Sequence, residues 1–344
     1  MYDAIRDLIA IPAISGNEHA VRRYISEQLK DAPAVSDIQV DRLGNCLVSL
    51  KGRQPAKQRV VFAAHMDEVG GIVTHITDDG YLRFETVGGI CDDVLFGKRV
   101  YVNGYPGVIG GKAVHRCKGD DKNRVPSVSG MLIDIGAACA EQARTVVREG
   151  DAITFATDWD DLSNTAFCAK ALDDRVGCAL LLQLAKIEPE YDIILAFTVQ
   201  EELGCRGAMT AAFALQPDVA IAVDVTTASD LPDVSAENQV ACFKKGPVVS
   251  FMDRGTMYDP DLYRHIRLLA AEHNIPTQTK TKVAGANDAQ SFQRAGAGAR
   301  VAAVSLPCRY LHAPSCVLCR EDVDNALRLL RVLATCLPAE EATV

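Results

Sequence analysis

The sequence predicts an α/β protein: a mostly parallel, mixed sheet with helices on both faces, plus an inserted small all-β domain. Polar residues directly follow two apolar runs of strand length, His65 after residues 59–64 and Glu201-Glu202 after residues 192–199. In the second half of the chain, apolar segments of strand length and of helix length alternate, which is typical of a parallel sheet covered on both faces. Between the two halves lies a glycine-rich stretch of short β-type runs and turns.

The chain is predicted to begin with a helix and a β-hairpin. Ser15 and Glu18 have the spacing of a capping box at a helix N-terminus. Apolar residues at helical spacing follow, so a first helix is expected to end near Leu29. Residues 38–40 and 47–50 flank a turn and indicate the hairpin.

The inserted all-β domain is predicted to cover residues 68–161, so that residues 1–67 and 162–344 together form the α/β domain. Short β-type runs within the insert include residues 99–102 and 152–155. After the insert, the expected strands are residues 193–199, 219–223 and 301–306, and the expected helices are residues 176–187, 262–273 and 323–336.

Composition and charge are those of a globular protein and exclude several classes of partner. The 344 residues are 48% hydrophobic and 24% charged, close to the globular average. The formal charge of -9 argues against a nucleic-acid or anionic-membrane partner, since these partners require a basic patch. No apolar run approaches the ~18 residues of a membrane span, so no membrane association is expected.

The N-terminus and the cysteines favour a cytoplasmic location. The first residues are acidic and lack the long apolar core of a signal peptide. The twelve cysteines are therefore expected to be reduced thiols that pack as small hydrophobic residues. Cys316 and Cys319 form a single Cys-x-x-Cys pair, which has no second pair to complete a structural zinc site.

Five potential metal ligands fall at one edge of the predicted sheet, the carboxyl ends of the strands, where open α/β sheets form active sites. They are His65, one of the pair Asp173-Asp174, one of the pair Glu201-Glu202, Asp224 and His312. Histidine nitrogen and carboxylate oxygen together suit zinc, cobalt or manganese. Two such ions roughly 3.5–4 Å apart need a bridging carboxylate, and they lower the pKa of a water between them. We therefore expect a hydrolase with two divalent metal ions per subunit.

Neighbouring carboxylates add to this chemistry. His65 and Asp67 are two residues apart, so in an extended segment they point the same way. Asp67 can then hold the second ring nitrogen of His65. Of Glu201 and Glu202, one can bind metal while the other acts as the general base that takes the proton of the water.

Three motifs are specific enough to compare with a known protein family. They are residues 64–70 (AHMDEVG), 171–177 (ALDDRVG) and 199–208 (VQEELGCRGA), and residues 132–137, 221–224 and 309–312 extend the match. Together they resemble the tetrahedral aminopeptidase family of cytosolic metallopeptidases, which includes glutamyl and deblocking aminopeptidases and relatives described as endoglucanases. The resemblance runs through most of the chain.

This resemblance implies a zinc-aminopeptidase-like fold, short peptide substrates and a role for each site residue. Asp173 would bridge two metal ions, which are zinc or cobalt, with manganese as a further option. The remaining assignments are His65 and Asp224 in one metal site, Glu202 and His312 in the other, Glu201 as the general base and Asp67 as the group that orients His65. In the family the inserted domain helps to form dimers that assemble into dodecameric shells, which implies a homo-oligomer.

The chain departs from the family pattern at two positions and places two histidines away from the site. Asn287 stands where the family often has threonine, near the substrate region, and Cys316 stands where a glutamate is common. Cys316 is expected either to pack silently or to make the site sensitive to oxidation. His75 and His115 fall in the insert and are expected to be structural or surface residues.

Three other functions stay open at this point. A two-metal amidase or deacylase would use the same ligands. An endoglucanase needs an acid and a base and no metal, so loss of activity on chelation would argue against it. A catalytically inactive binding or scaffold protein would fail to bind metal.

Overall fold

The computed structural model describes residues 1–112 and 126–341, and His115 lies outside them. The α-helices in these ranges are α1 (Tyr2–Ala10), α2 (His19–Leu29), α3 (Ala140–Ala143), α4 (Leu172–Ala185), α5 (Arg206–Leu215), α6 (Pro260–Glu272), α7 (Ala289–Arg294) and α8 (Arg320–Cys336). The strands are β1 (Val35–Val40), β2 (Cys46–Leu50), β3 (Val60–His65), β4 (Gly70–Ile76), β5 (Leu82–Val87), β6 (Arg99–Val102), β7 (Tyr105–Gly111), β8 (Met131–Asp134), β9 (Ala152–Phe155), β10 (Asp160–Asp161), β11 (Ala166–Ala169), β12 (Ile193–Thr198), β13 (Val219–Thr227), β14 (Val248–Val249), β15 (Arg300–Arg309) and β16 (Cys316–Cys319).

The larger sheet is parallel at its centre and antiparallel on both flanks. Its strands follow the order β1-β2-β12-β3-β13-β15-β16-β11-β10, and β14 pairs with β15 outside this row. β3 is parallel to β12 and β13, and β13 is parallel to β15. The other pairings of the described strands in this sheet are antiparallel. The mixed α/β class is confirmed. The prediction of a mostly parallel sheet is correct for the four central strands and wrong for the flanks, where hairpins and short connections add antiparallel strands.

Helices cover both faces of this sheet, as predicted. Along β3, Val60 and Phe62 pack into a core with α1, α2, α4, α6 and α8. Val61 and Ala63 pack into a second core with α5 and α7. The two sets alternate because neighbouring side chains of a strand point to opposite faces.

The strands from β4 to β9 close into a barrel with the order β4-β5-β8-β7-β6-β9. Val100, Ile133 and Ile153 belong to its separate core. A small all-β unit is therefore present, while β10 already pairs within the larger sheet. The limits 68–161 for the insert stay a prediction. His75 is exposed on β4. Within the described ranges, no helix combines the length and the apolar character needed to cross a bilayer.

The N-terminal segment forms a helix that the sequence analysis missed. α1 precedes α2, so the helix that ends at Leu29 is the second one. Ile5, Leu8 and Ile9 of α1 are buried. Their spacing is the helical i, i+3, i+4 pattern, which was the available signal.

The predicted capping box is wrong. α2 begins after Glu18, and no side chain caps it. Ser15 instead donates from Oγ to Asp67 over 2.6 Å. Glu18 accepts from the backbone amides of Gly16 and Gln200. Ser15 and Glu18 therefore connect the segment before α2 to Asp67 and to the turn after β12.

Candidate active site

The five predicted ligands converge at the carboxyl end of the central strands. His65 is the last residue of β3, and Asp224 lies within β13. Glu202 lies in the turn after β12, and His312 lies in the turn after β15. Asp173 lies in the first turn of α4, where the backbone is not helical. Because parallel strands end at one edge of a sheet, residues far apart in the chain meet here.

Asp173 occupies the centre of the group. Its Oδ1 is 3.0 Å from Nε2 of His65, and its Oδ2 is 3.3 Å from Nε2 of His312. Burial raises the pKa of Asp173, but the bonds to His312 and His65 outweigh burial and hold the pKa below its usual value. The carboxylate thus lies between the two imidazole rings, with one oxygen directed to each.

The other two carboxylates flank this centre. Oδ1 of Asp224 is 3.9 Å from Nε2 of His65, on one side. Oε2 of Glu202 is 3.4 Å from Nε2 of His312, on the other side. All five residues therefore form one continuous row from Asp224 to Glu202.

Asp67 connects His65 to the turn after β12. Its Oδ1 is 3.5 Å from Nδ1 of His65, which also lies 3.0 Å from the backbone oxygen of Asp67. The same carboxylate accepts from the backbone amides of Glu201 over 3.0 Å and Glu202 over 3.2 Å. Asp67 is fully buried. It therefore fixes both the orientation of His65 and the turn that carries the glutamate pair.

Glu201 lies beside the row of ligands and has a different partner from Glu202. Its Oε1 accepts a hydrogen bond from the thiol of Cys205 over 3.2 Å. Burial is the main cause that raises the pKa of its carboxyl well above the usual value, and the charges of Asp224 and Asp288 add to it. The structure thus separates the two glutamates, with Glu202 in the row and Glu201 beside it.

The buried carboxylates make the centre strongly attractive to positive charge. Burial raises the pKa of Glu202 to about 7, and the charge of Asp173 adds to the effect. Burial and Asp173 likewise hold the pKa of Asp224 well above its usual value. Burial lowers the pKa of His312, but the hydrogen bond and charge of Asp173 outweigh burial and raise that pKa to about 10.

The donor set fits divalent metal ions. Donor atoms of His65, Asp173 and Glu202 lie within 4.8 Å of one another. Oε1 of Glu202 is buried and has no hydrogen-bond partner among the described residues. A buried, unpartnered carboxylate oxygen is costly unless a cation offsets it. Imidazole nitrogens and carboxylate oxygens are ligands that zinc, cobalt and manganese accept.

Two further carboxylates, which the sequence analysis did not assign, lie near the site. Asp174 is buried, accepts from the backbone amides of His65 and Gly177, and lies within 4.8 Å of donor atoms of His65 and Asp224. Asp288, just before α7, accepts from Oγ1 of Thr198 over 2.5 Å. The adjacent acidic residues 173 and 174 were a sequence signal that could have identified Asp174. Asp288 is brought to the site by the packing of α7, which is a tertiary contact.

The two departures from the family pattern both occupy buried positions. Asn287 donates from Nδ2 to the hydroxyl of Tyr258 over 3.0 Å. Cys316 begins β16, directly after the loop that carries His312, and its buried thiol lies 3.4 Å from the backbone oxygen of Tyr310. Each therefore packs into the loops that border the site.

Comparisons with known proteins match this chain to aminopeptidases. The chain matches the family model described as M42 glutamyl aminopeptidase over residues 44–329. A putative aminopeptidase of Acetivibrio thermocellus is 38% identical over 332 residues, which cover 96% of this chain and 97% of that protein.

Two solved structures are similar over nearly their whole length. The TET aminopeptidase of the marine sediment archaeon Thaumarchaeota archaeon SCGC AB-539-E09 is 31% identical with a TM-score of 0.93, and 98% of this chain and 96% of that chain are covered. The TET1 peptidase of Pyrococcus horikoshii, described as able to assemble into a tetrahedron or a large octahedral shell, is 34% identical with a TM-score of 0.85 and coverage of 97% and 99%. The resemblance inferred from the motifs is confirmed, and the chain belongs to the M42 glutamyl aminopeptidase family of peptide-bond hydrolases.

Proposed function

We propose that this chain is a dinuclear metal-dependent aminopeptidase that removes N-terminal residues from short peptides. The position of Asp173 between His65 and His312, with one oxygen directed to each ring, carries this proposal. A carboxylate in this position is the bridging ligand that two neighbouring ions need. His65 and Asp224 would complete one metal site, and Glu202 and His312 would complete the other.

Zinc or cobalt suits this set of nitrogen and oxygen ligands, and manganese is also compatible. When bound, such ions polarise the scissile carbonyl and make a nucleophilic water acidic. Glu201 acts as the general base that takes the proton from the attacking water and then delivers it to the leaving amine. Asp67 supports both groups, since it holds the ring of His65 and the backbone of Glu201.

We further propose a cytoplasmic homo-oligomer in which the insert, residues 68–161, forms dimers that assemble into a dodecamer. The shells described for the TET1 peptidase of Pyrococcus horikoshii support the assembly. The cysteines in the described ranges are free thiols, which supports a reducing compartment. Light scattering of the purified protein tests the assembly, because a mass equal to that of one 37.0 kDa chain would contradict it.

The activity is tested with a panel of aminoacyl-p-nitroanilides and short peptides, after loading with zinc, cobalt or manganese. The wild type should release single N-terminal residues. Glu201→Gln should lower kcat by about 10²–10⁴-fold, the contribution of a positioned general base. Glu237→Gln makes the same chemical change at an exposed position and serves as the matched control.

Three results would redirect the assignment. Metal binding without cleavage of any peptide would favour the amidase or deacylase. Activity on polysaccharide that survives chelation would favour the endoglucanase. Absence of metal binding would favour a binding or scaffold protein.

A further inference from the structure

A second group of potential metal ligands lies beside the row of five and includes Glu201. Its members are Glu201, Cys205 and Asp288, whose donor atoms lie within 4.8 Å of one another. The thiol of Cys205 is 3.2 Å from Oε1 of Glu201. Cys205 immediately precedes α5 and Asp288 immediately precedes α7, so the packing of these two helices brings the group together.

Asp288 is a buried member of this group and has one unsatisfied oxygen. The residue is 3% exposed. Its Oδ2 accepts from Thr198, but its Oδ1 is buried and has no hydrogen-bond partner in the part of the chain that the structure describes. A buried acceptor without a partner is costly, and more so when the group is charged. A bound cation would remove this cost.

The donor types select a particular metal. A thiolate with two carboxylates suits zinc or cadmium, whereas manganese and magnesium favour oxygen ligands alone. With Zn–S at about 2.3 Å and Zn–O at about 2.0–2.2 Å, the ligand atoms of a tetrahedral zinc lie roughly 3.3–3.8 Å apart. The observed separation of 3.2 Å between Cys205 Sγ and Glu201 Oε1 lies just below this range, and the donor atom of Asp288 lies within 4.8 Å of both.

We propose that Glu201, Cys205 and Asp288 form an additional zinc site, and that zinc bound there inhibits the enzyme. Water would supply the fourth ligand. The thiol of Cys205 loses its proton to solvent as the Zn–S bond forms, so binding releases one proton. A metal-bound carboxylate of Glu201 cannot accept the proton of the attacking water. The inhibitory consequence rests on the proposed role of Glu201, whereas the metal site itself does not.

The site is tested first without an activity assay. Metal-free wild type is dialysed against increasing zinc, and its zinc content is compared with that of Cys205→Ala and of Cys336→Ala, which removes a thiol on α8. Cys205→Ala should lack one equivalent of zinc that the wild type and Cys336→Ala retain. Because loss of an outer partner alone weakens metal binding by about 10–100-fold, loss of a ligand should exceed about 100-fold.

Cobalt gives an independent spectroscopic signal. Titration of the wild type with cobalt should produce a sulfur-to-cobalt charge-transfer band in the near ultraviolet, and Cys205→Ala should lose that band. Asp288→Asn should weaken cobalt binding in the same titration. The absence of the band in the wild type, or its persistence in a folded Cys205→Ala, would overturn the proposal even if one variant failed to fold.

Activity as a function of zinc concentration separates this proposal from the proposed function. The wild type should be activated at low zinc and inhibited at higher zinc. The activity at high zinc divided by the activity at low zinc should rise towards one in Cys205→Ala. A cobalt–sulfur band without any peptidase activity would leave the metal site standing and refute the aminopeptidase. Inhibition that is equal in wild type and Cys205→Ala would refute the inhibitory role.

Discussion

At the scale of single residues, Asp67 has more contacts than its sequence position indicated. The spacing from His65 predicted only an interaction with the second ring nitrogen of that histidine. In the structure the same carboxylate also accepts from Ser15, Glu201 and Glu202. One buried side chain therefore positions a proposed metal ligand and the backbone of the proposed base together.

Asp67→Asn should lower kcat without a comparable change in KM. The amide group cannot accept all the hydrogen bonds of the carboxylate, so the ring of His65 and the turn at Glu201 should lose their fixed orientation. Loss of such a supporting group typically costs about 10–100-fold in activity or metal affinity. Kinetics and metal content of the variant test this, with the exposed Asp37→Asn as the matched control. Unchanged kcat and unchanged metal retention would contradict the role.

At the scale of elements, a buried ionic cluster joins the N-terminal segment to the site. Glu68, between β3 and β4, accepts from Lys170 over 2.8 and 3.0 Å and from Arg175 over 3.1 Å. Arg175 also donates to the backbone oxygens of Leu8 and Met66. Burial opposes ionisation of Glu68, yet its two cationic partners hold its pKa below the usual value. The cluster thus ties α1, the start of α4 and the segment after His65 together.

Lys170→Met should destabilise the protein strongly. Among the described residues it leaves the buried carboxylate of Glu68 with Arg175 as its one cationic partner. Removing one member of a buried charge cluster typically costs about 3–5 kcal/mol. Urea unfolding of the metal-free protein measures the change in the free energy of unfolding. Arg264→Met breaks the exposed pair with Asp261 and should cost at most about 1 kcal/mol. Equal effects of the two substitutions would refute a structural role for the cluster.

The elements also separate what was predictable from what was not. His65 and Asp224 were assigned because each ends or follows an apolar strand that the sequence marks clearly. α1 was missed because it is short and its pattern was judged only as a possible signal peptide. The Ser15–Glu18 spacing was misread because these side chains form bonds with Asp67 and with the turn after β12, which are distant in sequence.

At the scale of the whole molecule, the proposed metal site would couple metal binding to folding. Its ligands come from both parts of the α/β domain, on either side of the barrel, and they meet only in the folded chain. Burial raises the pKa of Glu202 and Asp224, with the charge of Asp173 adding to both, so the folded apoprotein concentrates unfavourable negative charge. A ligand that binds the folded state alone must then stabilise it.

Zinc should raise the Tm of the metal-free protein. At a free concentration one hundredfold above Kd, each site contributes about 2.7 kcal/mol of stability. Differential scanning calorimetry measures the shift, and Glu202→Gln should reduce it because the variant lacks one ligand charge. Glu237→Gln should respond like the wild type. A Tm that is independent of zinc in all three proteins would argue against metal sites that form on folding.

The sequence by itself determined the α/β class, the presence of an all-β insert and the candidate ligands at the strand ends. These features depend on local hydrophobic periodicity and on the residue that follows each strand. Both signals can be recognised within a short stretch of consecutive residues. Only the tertiary structure decided the antiparallel flanks, the position of Asp173 between two histidines, and the contact of Cys205 with Glu201. The reason is physical: these contacts join residues far apart in the chain or on opposite sides of a turn, and the packing of helices on the sheet fixes them.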